Sequence, residues 1–157
     1  MKAASVHELK DELRHQSQAQ LVELCSRLAR FKKENKELLT YLLFEAHDEA
    51  AYVNSVKNHT AESFAAIPLS NSLYLQKKSV RKILREVNKY VRYTGSKSVE
   101  VQLQLHFCQA LKQSGINWRE SPALQNLFQN IQNKIQKILP TLHEDAQYDF
   151  RRFLEAL

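Results

Sequence analysis

The chain has 157 residues, of which 43% are hydrophobic and 25% charged, and its formal net charge at pH 7 is +6. This length and balance are typical of a single globular domain over residues 1–157 and exclude a disordered chain. Only two glycines and three prolines are present, too few for the turns of a β-sandwich, a barrel or a doubly wound sheet. We therefore expect an all-α fold.

The first helices are predicted to begin at recognisable caps. Ser5 with Glu8, and Ser17 with Gln20, have the spacing of a capping box ahead of apolar positions. In such a box the serine hydroxyl and the third helical side chain each satisfy a free backbone N–H. We expect a first helix over residues 6–15 and a second helix directly after Ser17.

A third helix is predicted to carry its apolar residues from Leu38 to Val53. Phe44 lies roughly opposite the leucine face of this helix. An apolar group on both sides of a helix is typical of a central element, so we expect Phe44 in the core rather than in a partner contact. The pattern then fades, and Thr60 is expected to cap a short helix that ends before Pro68.

The middle of the chain predicts a long helix that Ser70 or Ser72 begins and Gly95 ends. Residues 90–107 are ambiguous because apolar and polar residues alternate after Val99, which is typical of a strand. These residues would then form a β-hairpin. No other segment alternates, and an isolated two-stranded hairpin is marginal in water, so we predict a helix there.

The final third predicts two more helices. Ser121 followed by Pro122 has the pattern of an N-cap and a first helical position, and this helix ends near Pro140. The segment "EDAQYDFRRFLEAL" closes the chain as an amphipathic helix. The total is seven or eight helices, arranged either as a compact antiparallel bundle or as a HEAT- or armadillo-like stack of helix pairs.

An acidic cluster in "FEAHDEAAY" contains Glu45, His47, Asp48 and Glu49, which are residue types that bind metal ions. A helix turns about 100° per residue, so His47 diverges from both glutamates by roughly 160°. The three acids share a face, but no second ligand-rich helix with a Glu-x-x-His motif is present. We interpret the cluster as a solvated helix flank, and a metal-dependent enzyme using Glu45, Asp48 and Glu49 is the weakest alternative.

No other motif indicates catalysis. Walker, nucleophile-elbow, HExxH and Rossmann patterns are absent, so we expect no enzymatic activity and no cofactor. Cys25 and Cys108 lack zinc spacing and have apolar neighbours, which predicts two buried thiols in a reducing compartment. The first fifteen residues have no signal-type apolar core, and "LLTYLLF" is too short to span a bilayer, so we expect a cytoplasmic protein without membrane insertion.

The positive charge is concentrated in one segment. Residues 77–97 contain eight basic residues against one acid, Glu86, so they carry a net charge of +7 and the remainder of the chain carries −1. Six of these residues fall within an arc of roughly 100° on the predicted helix. They are Lys78, Arg81, Lys82, Arg85, Lys89 and Arg92. Tyr74 lies at the edge of this basic face and is placed to add stacking.

Two interpretations of the basic face compete. It is either a solvated or internally neutralised helix surface, or a surface that binds nucleic acid or an acidic protein. Our leading hypothesis is a non-enzymatic binding or scaffold protein whose basic face binds nucleic acid or another polyanion. The runner-up is a protein-interaction module with an acidic partner. The sequence leaves open whether the protein forms a homo-oligomer.

The run "LVELCSRLARFKKENKELLTYLLFEAHDE", residues 21–49, resembles a stretch found in a family of small, uncharacterised, all-helical bacterial proteins. The resemblance covers about a fifth of the chain. It implies a helical bacterial protein and no catalytic activity, and it transfers no functional residue to this chain.

Overall fold

The computed structural model describes residues 1–157 and contains eight α-helices and no β-strand, which confirms the all-α prediction. In chain order the helices are α1 (Val6–Arg14), α2 (Gln18–Phe31), α3 (Lys33–Thr40), α4 (Glu49–Ala65), α5 (Leu73–Thr94), α6 (Lys97–Gln113), α7 (Pro122–Ile138) and α8 (Glu144–Glu155). A π-helical turn (Tyr41–Glu45) precedes α4, and 3₁₀ turns (Trp118–Glu120 and Leu139–Thr141) flank α7.

The chain divides by its internal contacts into two compact units, Met1–Phe44 and Glu45–Leu157. The single domain expected over residues 1–157 stays a prediction. No helix in either unit is both long enough and apolar enough to cross a lipid bilayer.

The unit of residues 1–44 contains α1, α2 and α3, and both predicted capping boxes are formed in it. The Ser5 N–H donates to Glu8 Oε2 at 2.7 Å. The Ser17 N–H donates to Gln20 Oε1 at 2.8 Å. Although α2 packs against α3, no side chain of the three helices is buried. Their apolar faces therefore contribute little burial free energy to folding.

The helix predicted from Leu38 to Val53 is interrupted, so that prediction was wrong. The chain passes through the π-helical turn and a short bend before α4 begins. Asp48 marks the new start, because its Oδ1 accepts the Ala51 N–H at 2.9 Å and so caps α4. Phe44 is 68% exposed, and its predicted place in the core was also wrong. That prediction assumed one straight helix with neighbours on two sides. Phe44 instead lies in the π-helical turn, just before the helix is interrupted.

The short helix expected to start at Thr60 is instead the second half of α4. Thr60 is buried, and its hydroxyl donates to the Val56 carbonyl at 2.8 Å. This bond to the preceding turn satisfies the hydroxyl within a continuous helix, so Thr60 is an interior residue of α4 and not an N-cap. The polar run before Thr60 weakened the apolar pattern without ending the helix.

The long helix and its successor form as predicted. Ser72 Oγ accepts the Leu75 N–H at the start of α5. Gly95 ends α5 with φ +63°, a left-handed conformation that favours glycine. Residues 97–113 are α-helical, which resolves the ambiguity of residues 90–107 in favour of the helix. Because the connection between them is short, α5 and α6 pack against each other as antiparallel neighbours.

The unit of residues 45–157 is built around α6. This helix packs against α4, α5, α7 and α8, and ten of its seventeen residues are buried. Phe107 of α6 meets Phe64 of α4 with ring centroids 5.3 Å apart. Phe128 of α7 stacks on Trp118, which belongs to the preceding 3₁₀ turn, with ring centroids 4.7 Å apart. A helix with apolar residues on most of its circumference is thus packed against four neighbouring helices.

The two cysteines have different environments. Cys108 lies buried in α6, as predicted, and burial raises the pKa of its thiol to about 12. Cys25 is exposed on α2, so the prediction of a buried thiol was wrong there. Its apolar neighbours are on a helix face that is itself not covered.

Glu100 is the only buried acid, and it joins α6 to α7. Its carboxylate lies 2.6 Å from Lys134 Nζ and 3.1 Å from Lys97 Nζ. Burial on its own raises the pKa of Glu100, but the hydrogen bonds and charges of the two lysines outweigh burial and hold this pKa below its ordinary value. The ionised carboxylate is therefore the form that the fold stabilises.

Truncating a side chain in α6 should destabilise the protein far more than the same change on its surface. Leu103 is 1% exposed and Leu75 is 46% exposed. We expect Leu103→Ala to lower the free energy of unfolding by about 2–5 kcal/mol, and Leu75→Ala by less than about 1 kcal/mol. Denaturant unfolding followed by the fluorescence of Trp118 measures both. Equal losses would contradict the central position of α6.

Acid should weaken the fold through Glu100. Because its pKa is lowered by folding, its contribution is present at neutral pH and is lost as the pH falls through the folded pKa. We expect Glu100→Gln to cost about 1–2 kcal/mol at pH 7 and to show a smaller loss of stability on acidification than the parent. Glu62→Gln, at an exposed acid of α4, is the control. An unchanged acid profile in Glu100→Gln would refute this assignment.

Candidate functional site

The basic face is positioned by the apolar side of α5. Val80, Ile83, Val87 and Val91 are buried against the rest of the unit. Residues spaced by three and four lie on one side of a helix, so burial of the valines and isoleucine fixes how α5 is rotated. The opposite side of the helix must then point outward.

The structure places all six predicted residues on that outward side. Lys78, Arg81, Lys82, Arg85 and Arg92 are exposed, and Lys89 is half-buried. From Lys78 to Arg92 the face is about 21 Å long at 1.5 Å per residue. Within the unit of residues 45–157, the basic face is therefore open to solvent.

Most of the charge on the face has no partner in the protein. Arg81, Lys82, Arg85 and Arg92 make no side-chain hydrogen bond or ion pair. The one acid of the segment, Glu86, is directed to the α4 side, where its carboxylate lies 3.4 Å from His59 Nε2. Glu86 makes no ion pair with the three arginines, so their positive charges remain unpaired.

Tyr74 supplies an aromatic ring at the N-terminal end of the face. The ring is 62% exposed. Lys77 Nζ and Lys78 Nζ lie 5.6 and 5.7 Å from its centroid, within the range of cation–π attraction. The sequence placed Tyr74 at the edge of the face, and its exposure leaves the ring open for stacking.

A groove between α5 and α7 adjoins the basic face and was missed by the sequence reasoning. It has a volume of about 520 Å³, and α6 forms its floor. Arg81 and Asn88 line it from α5, and Asn126 and Asn130 line it from α7. Asparagine is a poor helix former, so two asparagines four residues apart on the polar face of a predicted helix were the available signal.

The acidic cluster does not assemble into a metal site. No group of three or more histidine, cysteine, aspartate or glutamate side chains is arranged to hold a metal ion. Asp48 is occupied as the cap of α4, and Glu49 lies in the first turn, where an acid interacts favourably with the helix dipole. The break gives Asp48 and Glu49 a structural role, and the prediction that Glu45 shares one helix face with them was wrong because Glu45 lies before the break.

A scan of the sequence against protein-family models found no match, and searches of curated proteins and of solved structures found none either. The geometry of α5 and of the adjoining groove is therefore the basis for assigning a function.

Proposed function

We propose that this protein is a non-enzymatic binding protein that holds nucleic acid on the basic face of α5. The observation that supports the proposal best is the row of exposed arginines and lysines, four of which have no partner in the chain. Their charges would neutralise phosphates and release the counterions that surround a nucleic acid. Contacts of this kind hold the backbone and do not read base sequence.

The electrostatics of α5 favour an anionic partner. Like charges three and four residues apart on a helix repel each other modestly, so the basic face is slightly destabilising when it is empty. A polyanion would convert this repulsion into attraction. Arg81, Arg85 and Arg92 strengthen the case because planar guanidinium groups match phosphate geometry in a way that the lysine ammonium does not.

We further propose that the protein acts in the cytoplasm of a bacterium, as the sequence predicts. The runner-up is a protein-interaction module whose basic face meets an acidic protein segment. The two differ in their ligand and share the same surface. Binding is therefore measured with nucleic acids as well as with heparin, a polyanion that has no bases.

Reversing three charges on the face should abolish binding. We expect the parent to bind DNA, RNA and heparin at low salt and to lose affinity steeply at higher salt. The variant carrying Arg81→Glu, Arg85→Glu and Arg92→Glu should bind at least about 100-fold more weakly. Fluorescence anisotropy at two salt concentrations, about 50 and 200 mM, measures both affinities.

A matched control separates local charge from total charge. Lys137→Glu, Arg151→Glu and Arg152→Glu also change three exposed basic residues to acids, so both variants fall from a net charge of +6 to zero. We expect the control to keep most of the parent's affinity. Equal losses in the two variants, or no binding by the parent, would rule out the proposal. In the second case, a pull-down with acidic proteins at low salt tests the runner-up.

A further inference from the structure

The groove between α5 and α7 has the shape and chemistry of a site for a small planar group. Its volume of about 520 Å³ lies in the range of ligand sites in proteins. Its walls combine apolar side chains, among them Leu84 and Leu127, with the amides of Asn88, Asn126 and Asn130. Such a mixture can contact both the faces and the polar edges of a flat ring.

The floor of the groove orients one of these amides. Gln104 of α6 is 1% exposed, and its Nε2 donates to Asn88 Oδ1 at 2.7 Å. This bond orients the Asn88 amide, and its Nδ2 group, which has no partner in the protein, is available to donate. Gln104 Oε1 has no hydrogen-bond partner in the protein. A buried polar group without a partner is rare and is typical of sites that water or a ligand completes.

The α7 wall provides amides that are free to bind. Asn126 and Asn130 are exposed, four residues apart, and make no side-chain hydrogen bond. The next residue along this wall, Lys134, is held by Glu100 at 2.6 Å. Arg81 is thus the one cation of the groove without a partner, and it belongs to the groove and to the basic face at once.

We propose that the groove holds an unpaired base of single-stranded nucleic acid whose phosphates lie on the basic face. This inference rests on the proposed function. Asparagine amides present a donor and an acceptor together, which is the pattern that base edges require. Arg81 would bind the phosphate next to the bound base. A base reaches such a groove only when it is unpaired, so the site selects single strands over duplex.

The test compares two oligonucleotides of equal length and charge, one normal and one in which every base is replaced by an abasic spacer. The parent should bind the normal strand about 10-fold more tightly than the abasic strand, because each base contact adds affinity that charge alone does not supply. In the variant with Asn126→Ala and Asn130→Ala, this ratio should fall to about 2 or less.

A second pair of amides on α7 supplies the control. Gln129 and Asn133 are exposed and hydrogen-bonded to each other at 3.1 Å, and they do not line the groove. The variant with Gln129→Ala and Asn133→Ala should keep the parent's ratio. A ratio near one in the parent, or an unchanged ratio in the variant at Asn126 and Asn130, would overturn the inference.

These outcomes distinguish the inference from the proposed function. If the normal and abasic strands bind the parent equally, and both are released by salt, the basic face binds phosphate and the groove does not bind a base. If neither strand nor heparin binds the parent, the proposed function itself fails. Tighter binding of a duplex than of its separate strands would also overturn selection for single strands.

Discussion

The burial of α6 is the constraint on which the position of the candidate site depends. Its apolar residues point in nearly every direction, so they leave water only if other helices surround them. Covering α6 requires α5 to turn its valines inward, and this rotation sends Arg81, Arg85 and their neighbours outward. The same packing leaves α5 and α7 on adjacent sides of α6, and the groove is the space that remains between them. Both candidate surfaces are therefore consequences of the core.

Local signals predicted the helices well, and tertiary effects account for the errors. The caps at Ser5, Ser17 and Ser121 were predicted correctly because a cap depends on only three or four consecutive residues. The break before Asp48 could not be predicted in this way, because the apolar spacing of the leucines continues across it at Ala46, Ala50 and Val53. Phe44 and Cys25 were placed in a core from their apolar neighbours. Pattern alone cannot tell whether a second element covers an apolar face, and in residues 1–44 the faces stay open.

The two parts of the candidate site differ in how far the sequence reveals them. The basic face lies on one helix, so the period of 3.6 residues was enough to find it. Whether the face is exposed could not be predicted from this period, and the structure shows that it is. The groove combines residues from three helices, and no spacing in the chain relates Arg81 to Asn126 or Asn130. Finding it requires the packing of α5 and α7 on α6, which no local pattern contains.

The acids closest to the basic face in sequence make their contacts with other residues, so the face stays positively charged. Glu86 and Glu100 are the carboxylates nearest to it in sequence, and each is held by another partner, His59 in the first case and Lys134 with Lys97 in the second. Neither acid makes an ion pair with Arg81, Arg85 or Arg92. The fold therefore keeps a positive field along α5 even though the chain as a whole contains 17 acids against 23 basic residues. A field of this kind attracts polyanions before any contact forms, whereas the amides of the groove act only at contact. In the two proposals, attraction thus resides in the basic residues of α5 and base selection in the asparagines of the groove, and Arg81 lies where the two surfaces meet.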